Sequence, residues 1–366
     1  MIDRRIVSNF NWFFFLAILT VSMIGIVAIY SANHTRPEEF FRGLYIKQIY
    51  WIIYGLIAML FALTFDYRWY SRYAFIIYTL TLMGLVYVLV GGVVTSGSKR
   101  WIYVGPISIQ ISEFAKIAII IVLAKYFESG KASGQYTLGD LIVPALLTAT
   151  LGGLIVVQPD LGTTMMILFI FLAFIAAIEI NRLTLIKLFL SGLVLAPALW
   201  FFLKDYQKIR VKTLFNPELD PLGAGYHSIQ SKIAIGSGGF WGKGLFAGTQ
   251  SRLNFLPEKH TDFIFSVFAE ETGFFGVILL ISLFTIIILK GLNIAFRAAD
   301  RFGFFLSLGL IMSIAFYIIF NVGMTIGIFP ITGIPLPFVS YGGSSLITNY
   351  FAVGLLLNVE MRRSLH

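Results

Sequence analysis

Residues 161–178 read LGTTMMILFIFLAFIAAI, eighteen residues without one charged side chain. A run of this kind is long enough for a helix that crosses the roughly 30 Å hydrocarbon core of a bilayer. Ten such runs occur, at 10–31, 44–65, 73–94, 109–127, 140–157, 161–178, 184–203, 263–290, 302–328 and 343–360. They are continuously apolar and lack the period-2 alternation of a membrane β-strand, so the sequence predicts ten transmembrane helices.

The composition of the 366-residue chain supports the same conclusion. Hydrophobic residues make up 58% of it and charged residues 12%, against roughly 25% charged in ordinary globular proteins. With a mean hydropathy of +0.86, too few polar side chains remain to cover a water-facing surface. Hydrophobic density is even along the chain, so we predict a single all-α polytopic membrane domain over residues 1–366. The absence of cysteine excludes disulfides and thiolate chemistry.

Lysine and arginine are unevenly distributed between the two sides of the predicted helices. Loops on one side carry 13: Arg4, Arg5, Arg68, Arg72, Lys125, Lys131, Arg182, Lys187, Lys290, Arg297, Arg301, Arg362 and Arg363. The short loops opposite carry 5: Arg36, Arg42, Lys47, Lys99 and Arg100. Because basic loops stay in the cytoplasm, both termini are predicted to be cytoplasmic. The net charge is +9, but the basic residues form no continuous stripe, which argues against nucleic acid as a partner.

The longest segment outside the apolar runs is 204–262, which this orientation places on the extracytoplasmic side between helices seven and eight. Loops of this length usually have structure or function of their own. Within it, Tyr226, Ile229 and Ile233 recur at helical spacing and predict a short helix on the membrane surface. A second irregular piece, 95–108, is expected to dip into the outer membrane edge. Both features favour chemistry at the outer face.

Two polar motifs lie within or between the apolar runs, where ionisable groups are expensive. Glu113 and Lys116 are spaced i, i+3, so they share a helix face and are close enough to pair. They form either a structural ion pair in the bundle or part of a cavity for a polar substrate group. Asp160 follows Pro159 between the fifth and sixth runs. It is placed to cap the next helix through the amide of Thr163, and it also suits a carboxylate that faces an outer cavity.

The most informative polar stretch is 254–265, NFLPEKHTDFIF. Asp262 lies where the eighth helix is expected to begin, and Ser266 and Glu270 follow at steps of four on the same face. The polar groups crowded around this aspartate exceed the needs of a helix cap. Its carboxyl, with a reference pKa of about 3.9, is ionised at neutral pH, and partial burial would make it a better general base. His260 and His227 are too far apart to form a metal signature.

The stretch 327–345, GIFPITGIPLPFVSYGGSS, has three prolines in eight residues and cannot continue a helix. Its final residues, Gly342, Gly343, Ser344 and Ser345, offer backbone amides at a helix start, which suits an anion. The alternative is a rigid outer turn, which we favour slightly as its primary role. No GxxxxGK[ST] pattern is present, so this is not a nucleotide-triphosphate loop.

Several of these motifs, in this order, resemble the SEDS family of shape, elongation, division and sporulation proteins. The matching strings are SEFAK at 112–116, QPDLGT at 158–163, GAGY at 223–226, AIGSGG at 234–239, LPEKHTDF at 256–263 and PLPFVSYGGSS at 335–345. The string GTQSRLNF at 248–255 is more similar to elongation-type than to division-type members. The resemblance implies a ten-helix bundle, similar to GT-C-type glycosyltransferases, in the bacterial cytoplasmic (inner) membrane.

The resemblance also implies a peptidoglycan glycosyltransferase that polymerises lipid II at the outer face of that membrane. Its usual partner would be a class B penicillin-binding protein, a transpeptidase, alongside other membrane proteins of the elongation complex. The catalytic aspartate of the family falls on Asp262, its Glu–Lys pair on Glu113 and Lys116, and its loop aspartate on Asp160. Ile111, where a proline is commoner, departs from the family pattern without affecting the chemistry.

The expected reaction has the 4-hydroxyl of one disaccharide attack the anomeric carbon of another while pyrophosphate leaves. Asp262 is predicted to take the hydroxyl proton, and a single carboxylate favours inversion. Cationic side chains would stabilise the leaving group, and the candidates are Lys116, Arg210, Arg252 and Lys259, with or without a divalent ion such as Mg²⁺ or Mn²⁺. His260 completes the predicted substrate-binding set. Two rival functions stay open: a lipid II flippase and a non-catalytic scaffold for a transpeptidase.

Overall fold

The structure is a computed structural model that describes residues 9–34, 41, 43–95, 98–104, 107–130, 134–221, 223–252, 256 and 258–363. Each of the ten apolar runs contains a helix. These helices are α1 (Trp12–Asn33), α2 (Leu44–Thr64), α4 (Ala74–Gly91), α5 (Ile111–Glu128), α6 (Leu138–Val157), α7 (Leu161–Ala176), α8 (Arg182–Phe202), α12 (Ile264–Phe296), α13 (Arg301–Ile326) and α14 (Gly343–Arg362). A short helix, α3 (Tyr67–Arg72), lies between α2 and α4.

Six of the helices in the described residues are long and apolar enough to cross a membrane: α1, α2, α4, α6, α12 and α13. Helix α7 is equally apolar but has only 16 residues, and α5 carries four charged side chains. The chain is therefore a multi-pass membrane protein with a mainly helical fold, as the composition predicts.

Helix α13 forms the centre of the bundle and packs against α5, α7, α12 and α14. Its ends are defined by two local signals. Asp300 caps the first turn by accepting a hydrogen bond from the Gly303 amide at 2.7 Å, and Gly327 ends the helix at a φ of 81°, in the left-handed region. Most of α13 is buried, whereas α2 and α4 expose large apolar side chains on the outside of the bundle, as lipid-facing helices do.

A small antiparallel sheet corrects the all-α prediction. Strands β1 (Val93–Thr95), β2 (Ser98–Val104) and β3 (Ile107–Gln110) pair in that order, with Trp101 opposite Gln110. The glycines and the proline within 95–108 predict an irregular piece here. The aromatic and β-branched residues between those positions favour short strands instead. Gly97, Gly105 and Pro106 themselves lie outside the described residues.

The long segment 204–262 contains more helix than the sequence predicts. It holds α9 (Asp205–Phe215), a 3₁₀ turn (Pro217–Leu219), α10 (Ala224–Ser237) and α11 (Thr249–Arg252). The predicted helix at 224–235 is confirmed as α10, and α9 is an addition. Helix α10 buries its small face against α12 and α13, where Ser231 Oγ lies 2.7 Å from Ser266 Oγ. Its apolar residues Ile229 and Ile233 are exposed.

Candidate active site

The backbone around Asp262 is fixed by residues from distant parts of the chain. The amide Nδ2 of Asn321, in α13, donates to the Asp262 carbonyl oxygen at 3.0 Å and to the Ile334 carbonyl oxygen at 2.7 Å. The Ser340 hydroxyl donates to the Thr261 carbonyl oxygen at 2.6 Å. The turn before α12 is thus held against the proline-rich segment 330–341, and the backbone that carries the carboxyl has a defined position.

The carboxyl of Asp262 is partly exposed and lies beside Gly333, whose φ of 75° is left-handed. A Cβ atom at position 333 would lie 3.3 Å from Asp262 Oδ2, so the glycine lets the backbone come close. Burial and the charge of Glu258 raise the pKa of Asp262 from 3.8 to about 6, against a Thr261 hydrogen bond and the charge of Arg210. This carboxyl is suited to accept a proton near neutral pH.

The polar side chains that follow Asp262 at steps of four lie in the interior of the protein. Helix α12 begins at Ile264, and both Ser266 and Glu270 are fully buried. Ser266 contacts α10, and Glu270 Oε1 accepts hydrogen bonds from Lys243 Nζ at 2.7 Å and the Thr249 amide at 2.8 Å. These two side chains therefore hold the outer segment in place.

The predicted pair of Glu113 and Lys116 forms a buried ion pair of 2.7 Å, with side chains only 6% and 3% exposed. The Thr348 hydroxyl, from α14, donates to Glu113 Oε2 at 3.2 Å. On the α13 side, Lys116 Nζ lies 4.6 Å from the centre of the Tyr317 ring. Lys116 Nζ also lies 3.4 Å from Asn349 Oδ1. Polar and aromatic groups from α13 and α14 thus satisfy this pair inside the bundle.

Asp160 caps α7, as one of the two interpretations predicts. Its Oδ1 accepts from the Thr163 amide at 3.2 Å, and its Oδ2 accepts from the Thr163 hydroxyl at 3.0 Å. Gln110 Nε2 and the Ser112 hydroxyl also reach Oδ2, at 3.2 and 3.3 Å. The capping interpretation is confirmed, and the carboxylate is already well supplied with donors.

The segment 330–335 separates Asp160 from Asp262. Gly162, in the first turn of α7, packs so closely against it that a Cβ atom there would lie 2.8 Å from the Ile334 side chain. Gly333 contacts Asp262 on the other side. The segment 330–335 thus lies between the two carboxylates, which are at the same end of the bundle.

Arg210 approaches this end of the bundle from α9. Its guanidinium lies 5.7 Å from the centre of the Tyr206 ring, and its charge acts on both Asp262 and His227. The Tyr206 hydroxyl donates to the Pro159 carbonyl oxygen at 3.3 Å, which anchors α9 next to the α6–α7 turn. Among the predicted cations whose side chains the structure describes, Arg210 is the one whose charge acts on Asp262.

The other predicted substrate-binding residues are placed differently. Lys259 is fully buried, so contact with a substrate would require movement of the turn. The His260 ring lies between Phe41 and Tyr341, with centroids 5.9 and 5.8 Å away. The side chain of Arg252 lies outside the described residues. In the described part of the chain, no three His, Asp or Glu side chains converge as a metal site.

Three polar residues near the site are not predicted from the sequence: Asn321, Tyr317 and Thr348. Each is a polar residue inside an apolar run, and that is the signal that could have identified them, because a polar group in a membrane span needs a partner. Ser340 carries no comparable signal, since a serine beside prolines is ordinary for a turn.

The pattern of the FtsW, RodA and SpoVE cell cycle proteins matches residues 11–365. The peptidoglycan glycosyltransferase MrdB of Escherichia coli K12 is 39% identical over 353 residues, covering 96% of this chain and 93% of MrdB. The peptidoglycan glycosyltransferase RodA of Treponema pallidum is 34% identical over 431 residues, covering 98% of this chain and 99% of RodA.

Two solved structures match over nearly their whole length. A chain of a peptidoglycan synthase complex that coordinates polymerization and crosslinking matches with a TM-score of 0.83 at 33% identity, covering 98% of this chain and 99% of that chain. The rod shape determining protein RodA of Thermus thermophilus matches with a TM-score of 0.71 at 28% identity, covering 97% and 98%. The chain belongs to the FtsW/RodA/SpoVE family, the SEDS family that its motifs resemble.

Proposed function

We propose that this chain is an elongation-type peptidoglycan glycosyltransferase that polymerises lipid II at the outer face of the bacterial cytoplasmic membrane. All ten apolar runs cross the membrane in this proposal, both termini are cytoplasmic, and the bundle is GT-C-like. The observation that carries the proposal is the partly exposed carboxyl of Asp262, whose pKa is raised to about 6. The relatives of this chain, MrdB and RodA, are named peptidoglycan glycosyltransferases.

In the proposed reaction, the Asp262 carboxylate takes the proton of the acceptor 4-hydroxyl as its oxygen attacks the anomeric carbon of the donor. The new glycosidic C–O bond forms while the bond from that carbon to the pyrophosphate oxygen breaks, and the lipid pyrophosphate leaves with the electron pair. Attack opposite the leaving group inverts the anomeric centre. A general base in this position contributes typically ~10²–10⁴-fold to the rate.

The departing pyrophosphate needs positive charge more than it needs a proton. Arg210 is the best-supported source of that charge, because it is partly exposed and acts electrostatically on Asp262. Lys116 is committed to Glu113 inside the bundle, and Lys259 is fully buried. We therefore assign Arg210 to the leaving group, and we assign Lys116, Glu113 and Asp160 to shaping the walls of the site.

A class B penicillin-binding protein is the proposed partner. This assignment is supported by the likeness to a chain of a complex that coordinates polymerization and crosslinking. The transpeptidase would crosslink the glycan strands as they leave the site, and other membrane proteins of the elongation complex would assemble around the pair.

The test is polymerisation of purified lipid II in detergent, where no lipid has to be flipped across a membrane. Wild type should form glycan chains, Asp262→Ala should form almost none, and Asp205→Asn, an exposed carboxylate of α9, should match wild type. The reaction is run with and without the cognate transpeptidase and with Mg²⁺ and Mn²⁺ varied. Normal polymerisation by Asp262→Ala would rule out the catalytic assignment, and absence of polymerisation by every form would favour the flippase or the scaffold.

A further inference from the structure

Helix α12 is interrupted near its N-terminal end. Gly273 has a φ of 65° and a ψ of −164°, which is not a helical conformation. In an unbroken helix, the amides of Phe274 and Phe275 would donate to the carbonyl oxygens four residues earlier, those of Glu270 and Glu271. The interruption therefore frees two donors and two acceptors at one point of a helix that is long and apolar enough to span a membrane.

A segment of the outer region fills this interruption. We call residues 239–247 the wedge. The four freed groups of α12 all bond to it: Phe274 N to Gly239 O at 2.9 Å, Phe275 N to Phe240 O at 3.3 Å, Lys243 N to Glu270 O at 3.0 Å and Gly244 N to Glu271 O at 3.0 Å. The wedge thus replaces two helical hydrogen bonds with four of its own.

Glycine makes this close approach possible. A Cβ atom at Gly242 would collide with the carbonyl oxygen of Glu271, and one at Gly273 would collide with the amide of Gly242. Both glycines also have left-handed φ values, which other residues rarely adopt.

The polar side chain of the wedge points inward. Lys243 Nζ lies 2.7 Å from Glu270 Oε1 and 2.7 Å from the Thr249 hydroxyl, so its charge is neutralised against α12. The amide of Phe246 donates to the Ser31 hydroxyl of α1 at 3.2 Å. The protein itself thus supplies hydrogen-bond partners for the charged group and for much of the wedge backbone.

The outward surface of the wedge is apolar. Trp241 is 80% exposed and Phe240 is 68% exposed, and Leu245 is also exposed. The Trp241 ring stacks on Phe275 of α12 at 4.7 Å, and Phe240 packs edge-on against Phe274 at 5.8 Å. This surface continues into the exposed side chains Ile278 and Leu279 of the spanning part of α12.

The depth of the wedge follows from the length of α12. After Glu271, the next charged residue along the helix is Lys290. About 20 helical residues cross the hydrocarbon core, so counting back from Lys290 reaches residue 270, beside the wedge. Trp241 and its neighbour Phe240 then lie at the membrane–water boundary, where the amphipathic rings of Trp and Tyr concentrate.

We propose that the wedge is embedded in the lipid leaflet that surrounds the N-terminal half of α12, with Trp241 and Phe240 as its interfacial anchors. Non-helical backbone is tolerated at this depth only where the protein satisfies its polar groups, and the wedge meets that requirement through α12. Part of the segment that sequence assigns to an outer loop is therefore a membrane-inserted element.

The test uses the absence of cysteine, which makes an introduced cysteine a unique labelling site. Trp241→Cys and a matched control, Glu218→Cys on the exposed 3₁₀ turn, are labelled with the fluorophore NBD. Both full-length proteins are reconstituted in vesicles of phosphatidylcholine and phosphatidylglycerol. At 241 we expect blue-shifted emission, quenching by doxyl-labelled phosphatidylcholine, and roughly threefold less quenching by aqueous iodide than at 218.

Two results would overturn the proposal. Equal iodide quenching at the two positions would place the wedge in water. Shielding of position 241 from both iodide and doxyl lipid would mean that protein, such as a partner or a second copy, covers it. As a second variant, adding Gly242→Ala to Trp241→Cys should expel the wedge from α12 and increase iodide quenching at the label, whereas unchanged quenching in a folded protein would contradict the anchoring geometry.

Discussion

The two carboxylate regions of this bundle differ in how fully their charge is compensated. Asp160 and Glu113 accept hydrogen bonds from several side chains, and Glu113 also pairs with Lys116. Asp262 lies at the same end of the bundle, but burial and the charge of Glu258 leave its charged form poorly compensated. A carboxylate that is fully compensated supports structure, whereas one whose basicity is raised can do chemistry. This difference singles out Asp262 among the polar residues of the site.

The largest expected effect comes from neutralising the two aspartates in turn. Asp262→Asn removes the proposed base and should lower the rate of lipid II polymerisation by ~10²–10⁴-fold. Asp160→Asn keeps a side-chain oxygen for the Thr163 amide, since asparagine caps helices about as well as aspartate, and should lower the rate by less than roughly tenfold. Polymerisation rates of both purified variants measure the comparison directly. Equal losses would remove the distinction between the two carboxylates.

The buried ion pair provides the second test. Glu113→Gln leaves Lys116 charged without its counter-ion inside the bundle and should destabilise the protein by about 3–5 kcal/mol. The double variant Glu113→Gln, Lys116→Met removes both charges and should recover much of that loss. Thermal unfolding in detergent gives the two values. If the double variant is no more stable than Glu113→Gln, the pair stabilises the bundle by more than compensation of the Lys116 charge.

The fold could be predicted where composition alone determines it. Each apolar run contains a helix because only helices satisfy the backbone inside lipid, and Asp160 caps α7 as its spacing to Thr163 indicates. The hydrogen bonds that hold the backbone around Asp262 could not be predicted, because Asn321 lies 59 positions from Asp262 and Ser340 lies 79 positions from Thr261. The break at Gly273 could not be predicted for a similar reason, since the wedge that bonds to it is a separate glycine-rich segment.

Loss of the hydrogen bonds from Asn321 should have an intermediate effect on the polymerisation rate. Asn321→Leu removes the Nδ2 donor to the carbonyl oxygens of Asp262 and Ile334, so the carboxyl loses its fixed position. Because misplacement of a catalytic group by about 1 Å can cost up to ~10²-fold, we expect kcat to fall by roughly tenfold with little change in KM. Asn321 does not titrate, so the pH dependence of the remaining activity should stay as in wild type. A shifted pH profile would show that Asn321 acts on the charge of Asp262 and not on its position.

The smallest and most specific effect is on the pH profile. In the proposed mechanism Asp262 acts as the carboxylate, so activity should rise with pH through its pKa of about 6. Glu258→Gln removes a like charge, which lowers this pKa and moves the rising limb to lower pH. Arg210→Gln removes an opposite charge, which raises the pKa and moves the limb to higher pH, in addition to slowing the reaction.

The two opposite shifts are measured as kcat/KM against pH on lipid II. They distinguish an electrostatic effect on the pKa of the base from a general loss of activity. A variant that merely perturbs the fold would lower the rate at every pH without moving the limb. Shifts in the same direction for both variants would show that another group titrates, and the assignment of the base to Asp262 would then lose its electrostatic support. Opposite shifts would tie the observed limb to a carboxyl that feels both Glu258 and Arg210, which in this structure is Asp262.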